Sequence, residues 1–324
     1  MEKDIYNIFF INHGYSDLDI EKKVLEEINC SIYEINSNDE KYIAEKCENA
    51  DAIIINLAPI TKKVIDNLKK CKVISRYGIG VDVIDLKAAK TKNIIVCNVS
   101  DYCLDEVSDH ALALIFTLGR KILLYNNEVK KGKWDAINSG KPITNFRNSI
   151  LGIIGFGKIS RNLYKKSKNI FKNIYVFDPY IKLNDIKKFR VYLTNLQDLL
   201  SNSDYISINC PLNNETFHMI GKKELQLMKP TAIIVNTSRG AIIDTEVLYD
   251  FLANKRIGGA GLDVLEKEPI DLNNKLLFLD NIIITPHAGF YSESSLKKLK
   301  YTAALNVLRV LKNKKPINVV SNSD

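Results

Sequence analysis

Short apolar runs alternate with amphipathic stretches along nearly the whole chain, and the two periods assign its elements. In the first hundred residues, runs at 5–11, 32–35, 52–57, 73–75 and 94–97 read as strands, while 19–28, 40–49, 61–70 and 85–92 read as helices. This alternation predicts a small flavodoxin-like α/β unit. A long apolar helix is expected over 103–124, with Asp105, Glu106 and Asp109 at its start and Arg120 and Lys121 near its end, signs that suit the helix dipole. A second α/β unit runs from about 149 to 287. The last helix is expected over 292–312, and the apolar positions of 315–320 are expected to return to the first unit. No further repeat and no low-complexity linker interrupts the pattern.

The apolar runs at 232–235, 258–262 and 282–284 read as buried parallel strands, and each is followed by residues that carry chemistry. After the first comes Asn236-Thr237-Ser238-Arg239-Gly240, after the second Asp263-Val264-Leu265-Glu266-Lys267-Glu268-Pro269, and after the third Thr285-Pro286-His287-Ala288-Gly289. Ligands of open α/β sheets bind outside the carboxyl ends of the strands, so an arginine, an acid and a histidine are expected at one crevice. Arginine can hold a carboxylate by two hydrogen bonds, histidine can move a proton near neutral pH, and a neighbouring carboxylate can fix the histidine tautomer. Such a set suits the interconversion of a 2-oxo acid and a 2-hydroxy acid. Glu266 and Glu268 compete for the place beside His287.

Upstream, Ile150-Leu151-Gly152-Ile153-Ile154 runs into Gly155-Phe156-Gly157-Lys158-Ile159-Ser160, and an amphipathic pattern follows through Leu163 and Ile170. Gly155 permits a tight turn, and Gly157 lets the backbone approach a pyrophosphate at a helix N-terminus. The next strand ends in Asp178, at the distance expected of the acid that accepts from a ribose 2′-hydroxyl and repels a 2′-phosphate, which favours NAD over NADP. Ser160 stands at the third glycine position, where slightly looser packing of helix on strand is expected.

A length of 324 residues suggests two domains. The net charge is +8, from 46 basic and 38 acidic residues, with lysines spread over helices such as 165–168 and 297–300. No basic block interleaves with aromatics, so this is solvated helix surface, and nucleic-acid binding is not expected. The six cysteines, Cys30, Cys47, Cys71, Cys97, Cys103 and Cys210, form no Cys-x-x-Cys pair and no Cys/His cluster with metal spacing, so no metal is expected. They read as reduced core or near-core thiols of a cytoplasmic protein. The N-terminus does not read as a signal peptide, no apolar run reaches membrane-spanning length, and no membrane association is expected.

With Arg76-Tyr77-Gly78-Ile79-Gly80-Val81-Asp82 and Glu106-Val107-Ser108-Asp109-His110 added to the phrases above, the chain closely resembles the D-isomer-specific 2-hydroxyacid dehydrogenases over nearly its whole length. The resemblance implies two Rossmann-like domains. One is a flavodoxin-like substrate domain, residues 1–101 and 292–324. The other, residues 102–291, is an inserted NAD-binding domain with a doubly wound parallel sheet. It implies a homodimer through coenzyme-domain helices, with the helix beginning at Cys103 matching that element. It implies His287 as general acid/base on the substrate C2 oxygen, Glu268 as the acid that hydrogen-bonds its ring and keeps it protonated for reduction, and Arg239 on the substrate carboxylate and carbonyl. The backbone amides of Tyr77, Gly78, Ile79 and Gly80 would bind the other side of that carboxylate. Lys158 and Ile159 amides would meet the pyrophosphate of NAD, and Cys210 and Pro211 would flank its adenosine. Thr237 and Ser238 would line the nicotinamide, Asp263 would bind its carboxamide, and Ala288 counts among the coenzyme contacts.

His110 is expected to be structural, and His13 and His218, which show no partner in the sequence, to lie on the surface. Tyr77, Trp134, Phe290 and Tyr291 are candidates for shaping the pocket around substrate C3, with packing the expected role of Trp134. Tyr77 is larger than the residue common at its position in the family, which suggests a narrowed or reshaped pocket. Two other functions share this framework. A 3-phosphoglycerate dehydrogenase of serine synthesis is disfavoured because Ile55-Asn56-Leu57-Ala58-Pro59-Ile60-Thr61 offers no basic residue for a phosphate, although Arg76 or Arg147 could substitute. An NAD(H)-sensing regulator like the C-terminal-binding proteins would need a peptide groove that the sequence does not reveal.

Overall fold

The computed structural model describes residues 5–320. In chain order its first elements are β1 (Tyr6–Ile11), α1 (Asp19–Leu25), β2 (Cys30–Ile35), α2 (Glu40–Lys46), β3 (Ala52–Ile55), α3 (Lys62–Asn67), β4 (Val73–Arg76), α4 (Leu86–Thr91) and β5 (Ile95–Cys97). There follow α5 (Leu104–Gly119), α6 (Ile122–Lys130), β6 (Ile150–Ile154), α7 (Lys158–Ser167), β7 (Asn173–Phe177), α8 (Leu183–Ile186), β8 (Tyr192–Leu193), α9 (Leu196–Asn202) and β9 (Tyr205–Ile208). The chain continues through α10 (Lys222–Leu227), β10 (Ile233–Asn236), α11 (Thr245–Ala253), β11 (Gly259–Leu262), β12 (Ile282–Ile284) and α12 (Glu293–Leu311).

These elements divide into two compact units, residues 1–102 with 292–324, and residues 103–291. The first holds a five-stranded parallel sheet in the order β2-β1-β3-β4-β5, the flavodoxin arrangement. Its central strand β3 is a continuous, fully buried apolar run, as a strand covered on both faces is, while β4 is apolar only over Val73 and Ile74 before Ser75 and Arg76. Helix α12 packs against α1, β3 and β4, and beyond it Val319 bridges Cys97, so 315–320 does return to this sheet. The second unit holds seven parallel strands in the order β12-β11-β10-β9-β6-β7-β8. The order turns around between β6 and β9, which makes their carboxyl ends the topological switch point of a doubly wound sheet.

The expected helix over 103–124 is two helices. Helix α5 ends at Gly119, Lys121 takes a left-handed φ of +53°, and α6 starts afresh. A Cβ at Gly119 would lie 2.7 Å from the Tyr205 hydroxyl, so the close contact of α5 with the sheet fixes a glycine where the helix stops. Arg120 and Lys121 therefore lie beyond α5, and only the acids Asp105 and Glu106 sit within its end turns. Helix α6 buries none of its residues, and Trp134 just beyond it is 90% exposed, contrary to the packing role expected of it.

Gly240 shows how tightly the loops beyond β10 and β11 meet. A Cβ there would come within 1.9 Å of the Leu265 carbonyl carbon and 2.3 Å of the Glu266 amide nitrogen, both backbone atoms that cannot swing aside. Gly240→Ala is expected to destabilise the second unit by about 3 kcal/mol or to yield insoluble protein. A thermal midpoint within about 1 °C of wild type would contradict this packing.

Candidate active site

The histidine and its acid come from loops that follow adjacent strands. His287 lies three residues past β12, and its Nδ1 is 2.8 Å from Glu268 Oε2. Glu268 Oε1 accepts from the Leu265 amide at 2.9 Å, so the carboxylate is pinned at both oxygens and fixes the ring orientation. Burial alone would raise this carboxyl. Hydrogen bonds from His287 and the Leu265 amide, with the charges of His287 and Arg239, outweigh burial and hold it below the usual glutamate range. The choice between the two glutamates is settled in space. Glu266 Oε2 takes His218 Nε2 at 3.0 Å and its Oε1 takes the Thr245 amide at 2.9 Å.

The turn that presents His287 is built on Asp263. His287 itself has φ +54°, a left-handed conformation uncommon in residues other than glycine. Its amide donates to the Asp263 carbonyl at 2.8 Å. The Asp263 side chain, 2% exposed, accepts from the Ala288 amide (2.8 Å) and Thr285 hydroxyl (2.6 Å) at Oδ1, and from the Gly289 amide (2.8 Å) at Oδ2. His110 Nε2 adds a contact of 3.3 Å to Oδ1 and one of 2.8 Å to the Thr285 hydroxyl. Burial would raise the Asp263 carboxyl, but the bonds from His110, Thr285, Gly289 and Ala288 together hold it below the ordinary aspartate value. A Cβ on Gly289 would stand 2.8 Å from Asp263 Oδ2, so glycine is required for that approach. The carboxylate assigned by resemblance to the nicotinamide carboxamide is thus engaged beneath the His287 turn.

Arg239 follows β10 on a turn closed by Asn236, which is fully buried. Asn236 Nδ2 donates to the Arg239 carbonyl at 2.8 Å, and its Oδ1 accepts from the Ser238 amide at 3.0 Å. The Ser238 hydroxyl reaches back to the Ile208 carbonyl at 2.9 Å. Sequence reasoning missed Asn236 as the part that shapes this turn. An asparagine closing a strand before Thr-Ser-Arg-Gly was the available signal, since its side chain readily mimics a backbone turn.

At the switch point, Gly155 has φ +82°, and a Cβ on it would press to 2.9 Å from the Cys210 amide nitrogen. Gly157 caps α7 without a side-chain hydrogen bond, and a Cβ there would meet nothing within 4 Å. Space is therefore open at Gly157, where the ten-residue helix α7 begins and where a pyrophosphate would approach the backbone. The Asp178 carboxylate is aimed by the Phe156 amide (2.8 Å) and the Tyr180 amide (3.0 Å). Among the described residues, Thr237 Oγ1 and Asn209 Oδ1, at the ends of β10 and β9, are buried without hydrogen-bond partners, so polar atoms are available there to a ligand. These features fit a dinucleotide. Ser160 is fully buried, and its hydroxyl donates to the Gly155 carbonyl at 2.5 Å, so serine fills the third glycine position through a hydrogen bond rather than leaving slack. Cys210 is half-buried, with burial pushing its thiol up to about 11, and Pro211 beside it is exposed.

In the first unit, the four amides expected to act together are unequal. The Tyr77 amide donates to the Ile55 carbonyl at 2.8 Å and the Gly78 amide to the Arg76 carbonyl at 3.0 Å. Among the described residues, the Ile79 and Gly80 amides have no hydrogen-bond acceptor. Only these two remain for an anion. The Tyr77 side chain is 1% exposed, with its hydroxyl on Glu21, so it lies in the core rather than narrowing a pocket.

His13 and His218 both have acidic partners that sequence spacing did not reveal. His13 Nε2 is 3.1 Å from Glu34, and His218 pairs with Glu266 while stacking on Phe217. Sequence separations of 21 and 48 residues hid both pairs. All six cysteines are free thiols. Among the described residues, no group of three or more His, Cys, Asp or Glu side chains could hold a metal ion, and no helix is long and apolar enough to cross a membrane.

A doubly wound sheet with a glycine turn and an acid at its switch point, and a histidine–glutamate pair and an arginine beyond neighbouring strands, is that of a nicotinamide-dependent dehydrogenase. The NAD-binding-domain model of the D-isomer specific 2-hydroxyacid dehydrogenases matches residues 112–289. The chain is 34% identical over 285 residues to a glyoxylate reductase of Thermococcus litoralis, covering 86% of each. It is 36% identical over 301 residues to a D-3-phosphoglycerate dehydrogenase of Methanocaldococcus jannaschii, covering 92% of this chain and 57% of that protein. Its structure is similar to that of a D-lactate dehydrogenase from Aquifex aeolicus solved with NAD and lactic acid, with a TM-score of 0.89 at 27% identity over 98% of this chain and 100% of the other. The chain belongs to the D-isomer-specific 2-hydroxyacid dehydrogenase family and is an NAD-dependent oxidoreductase acting on 2-hydroxy and 2-oxo acids.

Proposed function

We propose that the protein reduces a small, unphosphorylated 2-oxo acid to its D-2-hydroxy acid, with His287 donating the proton to the C2 oxygen. The observation that carries this reading is the 2.8 Å bond from His287 Nδ1 to Glu268, with Glu266 turned to His218 instead. Because Nδ1 is engaged, Nε2 is the ring atom left to exchange a proton with substrate. NADH supplies the hydride to C2. As the C2 carbonyl bond is reduced, negative charge builds on its oxygen, and the proton from His287 Nε2 neutralises it to give the alcohol. Arg239 holds the carboxylate and polarises the carbonyl, and the Ile79 and Gly80 amides act as carboxylate donors. On the coenzyme, the amides at the start of α7 would hold the pyrophosphate, Asp178 the adenosine ribose, and Thr237 and Ser238 the nicotinamide, with Cys210 and Pro211 flanking the adenosine and Ala288 among the coenzyme contacts.

The absence of any basic residue in 55–61 supports an unphosphorylated substrate, and the match to glyoxylate reductases supports a small one. NADH oxidation followed at 340 nm against glyoxylate, hydroxypyruvate, phenylpyruvate and 3-phosphohydroxypyruvate tests this. The expected result is fastest turnover of one of the two small unphosphorylated acids. Preference for 3-phosphohydroxypyruvate would replace this reading with phosphoglycerate dehydrogenase. The exposed apolar face of α6, with Ile122, Leu123 and Val129, supports a homodimer through the coenzyme unit, and six free thiols support a cytoplasmic setting.

Asp178→Ala is expected to cut the preference for NADH over NADPH by about tenfold or more, because it removes both the ribose acceptor and the charge that repels a 2′-phosphate. Matched kcat/KM values for the two coenzymes measure this. An unchanged ratio would remove Asp178 from coenzyme selection.

A further inference from the structure

The first unit contains a charged cluster that none of the roles above uses. Glu21 of α1 is fully buried, and its Oε1 accepts from the Tyr77 hydroxyl at 2.6 Å. Lys300 of α12, 4% exposed, lies 3.6 Å from Glu21 Oε2. The same ammonium donates to the Asp17 carbonyl at 2.8 Å and to its carboxylate at 2.9 Å, and sits 5.5 Å over the Tyr15 ring. Tyr15 in turn meets Tyr77 edge-on, with centroids 5.2 Å apart. One lysine and one glutamate thus tie α12, α1 and the loop after β1 to the first residue beyond β4.

As a stabilising feature this arrangement is poor. Burying an ion pair costs free energy that only good geometry and full hydrogen bonding recover. Here the charges are 3.6 Å apart, and among the described residues Glu21 Oε2 has no hydrogen-bond partner. Burial raises the Glu21 carboxyl, against the hydrogen bond from Tyr77 and the charge of Lys300. An apolar pair would fill the same volume with less penalty. What the cluster supplies is a fixed direction for the Tyr77 side chain, and Tyr77 begins the turn that carries the Ile79 and Gly80 amides.

The rest of that turn is held by its carbonyls. The Gly78 carbonyl accepts from the Val99 amide at 2.9 Å, and the Ile79 carbonyl accepts from Asn98 Nδ2 at 2.7 Å. Gly78 has φ +136°, a conformation that side-chain-bearing residues rarely adopt. Glycine takes either hand freely, so the direction of this turn depends on the anchors at its two ends. The Asn98 and Val99 bonds anchor one side, and the Tyr77 phenol in the Glu21–Lys300 pair anchors the other.

We propose that Glu21, Lys300 and Tyr77 are positioning residues that set the Tyr77–Gly80 turn, so that the Ile79 and Gly80 amides point at an anion without rearrangement. The consequence for substrate rests on the reading that these amides hold the carboxylate. The consequence for the turn does not. Two measurements on the full-length protein separate them: amide hydrogen exchange over residues 74–84, and KM and kcat for the fastest 2-oxo acid at saturating NADH. In Tyr77→Phe, which removes only the hydroxyl, exchange at the hydrogen-bonded Tyr77 and Gly78 amides is expected to quicken by about tenfold and KM to rise by about tenfold. In the same variant kcat and NADH affinity are expected to stay within about twofold of wild type. Glu21→Gln keeps an acceptor for the phenol while leaving Lys300 without its buried countercharge. It is expected to shift both quantities in the same direction, and it carries the test if Tyr77→Phe fails to fold.

Exchange and KM within about twofold of wild type in both variants would overturn the proposal. So would a fall in kcat with KM unchanged, which a carboxylate cradle does not produce. Faster exchange together with no turnover of any 2-oxo acid by wild type would support the clamp and overturn the carboxylate reading.

Discussion

Replacing His287 with glutamine is expected to lower kcat by about 10²- to 10⁴-fold while leaving NADH affinity within about twofold of wild type. Glutamine is close in reach and can accept or donate a hydrogen bond, but it cannot deliver a proton to the alkoxide that forms at C2. The effect belongs in kcat because the proton matters only as charge develops on the oxygen, a property of the transition state. Glu268→Gln should produce a smaller loss. It keeps a partner for Nδ1 at 2.8 Å but removes the charge that stabilises a protonated ring. Stopped-flow measurement of the hydride step, beside fluorescence titration of NADH, separates chemistry from binding. A His287→Gln enzyme that retains turnover within about threefold would remove His287 from the proton-transfer role.

The second large effect is expected at Asp263, although its side chain is nearly out of reach of solvent. Asp263→Asn puts an amide nitrogen where Thr285, Ala288, Gly289 and His110 all direct donors at a carboxylate. At least one of those donors must then face another donor in a buried site. The expected loss is about 3 kcal/mol, which lowers the thermal midpoint by about 6–12 °C. The turn also holds His287 at φ +54°, so kcat should fall with stability even under conditions where the variant is folded.

The pH dependence follows from the direction of the Asp263 shift. Its native carboxyl lies below the ordinary aspartate value, so its contribution to stability is fully present above about pH 4 and is lost as the pH falls through the native value. The stability gap between wild type and Asp263→Asn should therefore be widest near neutral pH and close in acid. Urea unfolding across that range measures it, and a gap that widens in acid would reverse the assignment.

Much of the site was legible along the chain because strand ends announce themselves. The apolar runs before Arg239, Asp263 and His287 fix where a parallel strand stops, and the crevice lies there by the geometry of the sheet. The same reasoning found the Gly155 turn and Asp178. Spacing could not choose between Glu266 and Glu268. They are two residues apart on an irregular segment, and which one meets His287 depends on how that segment bends around Gly240. Nor could it reveal His110 against Thr285 or His218 against Glu266, since these contacts join residues 175 and 48 positions apart.

The sequence by itself determined the α/β class, the dehydrogenase framework with its NAD turn, and the residue types that carry the chemistry, because each is written in local periodicity or in motifs confined to a few positions. The tertiary structure alone decided which donors and acceptors remain for a ligand. Among the described residues it left the Ile79 and Gly80 amides without hydrogen-bond partners while occupying those of Tyr77 and Gly78, and it set Asp263 beneath the His287 turn. It also drew Tyr77 inward onto Glu21 and broke the expected long helix at Gly119. Those outcomes depend on which backbone groups and side chains meet across the packed elements, and hydrogen-bond satisfaction in a buried site is a property of the assembled neighbourhood that no single segment encodes.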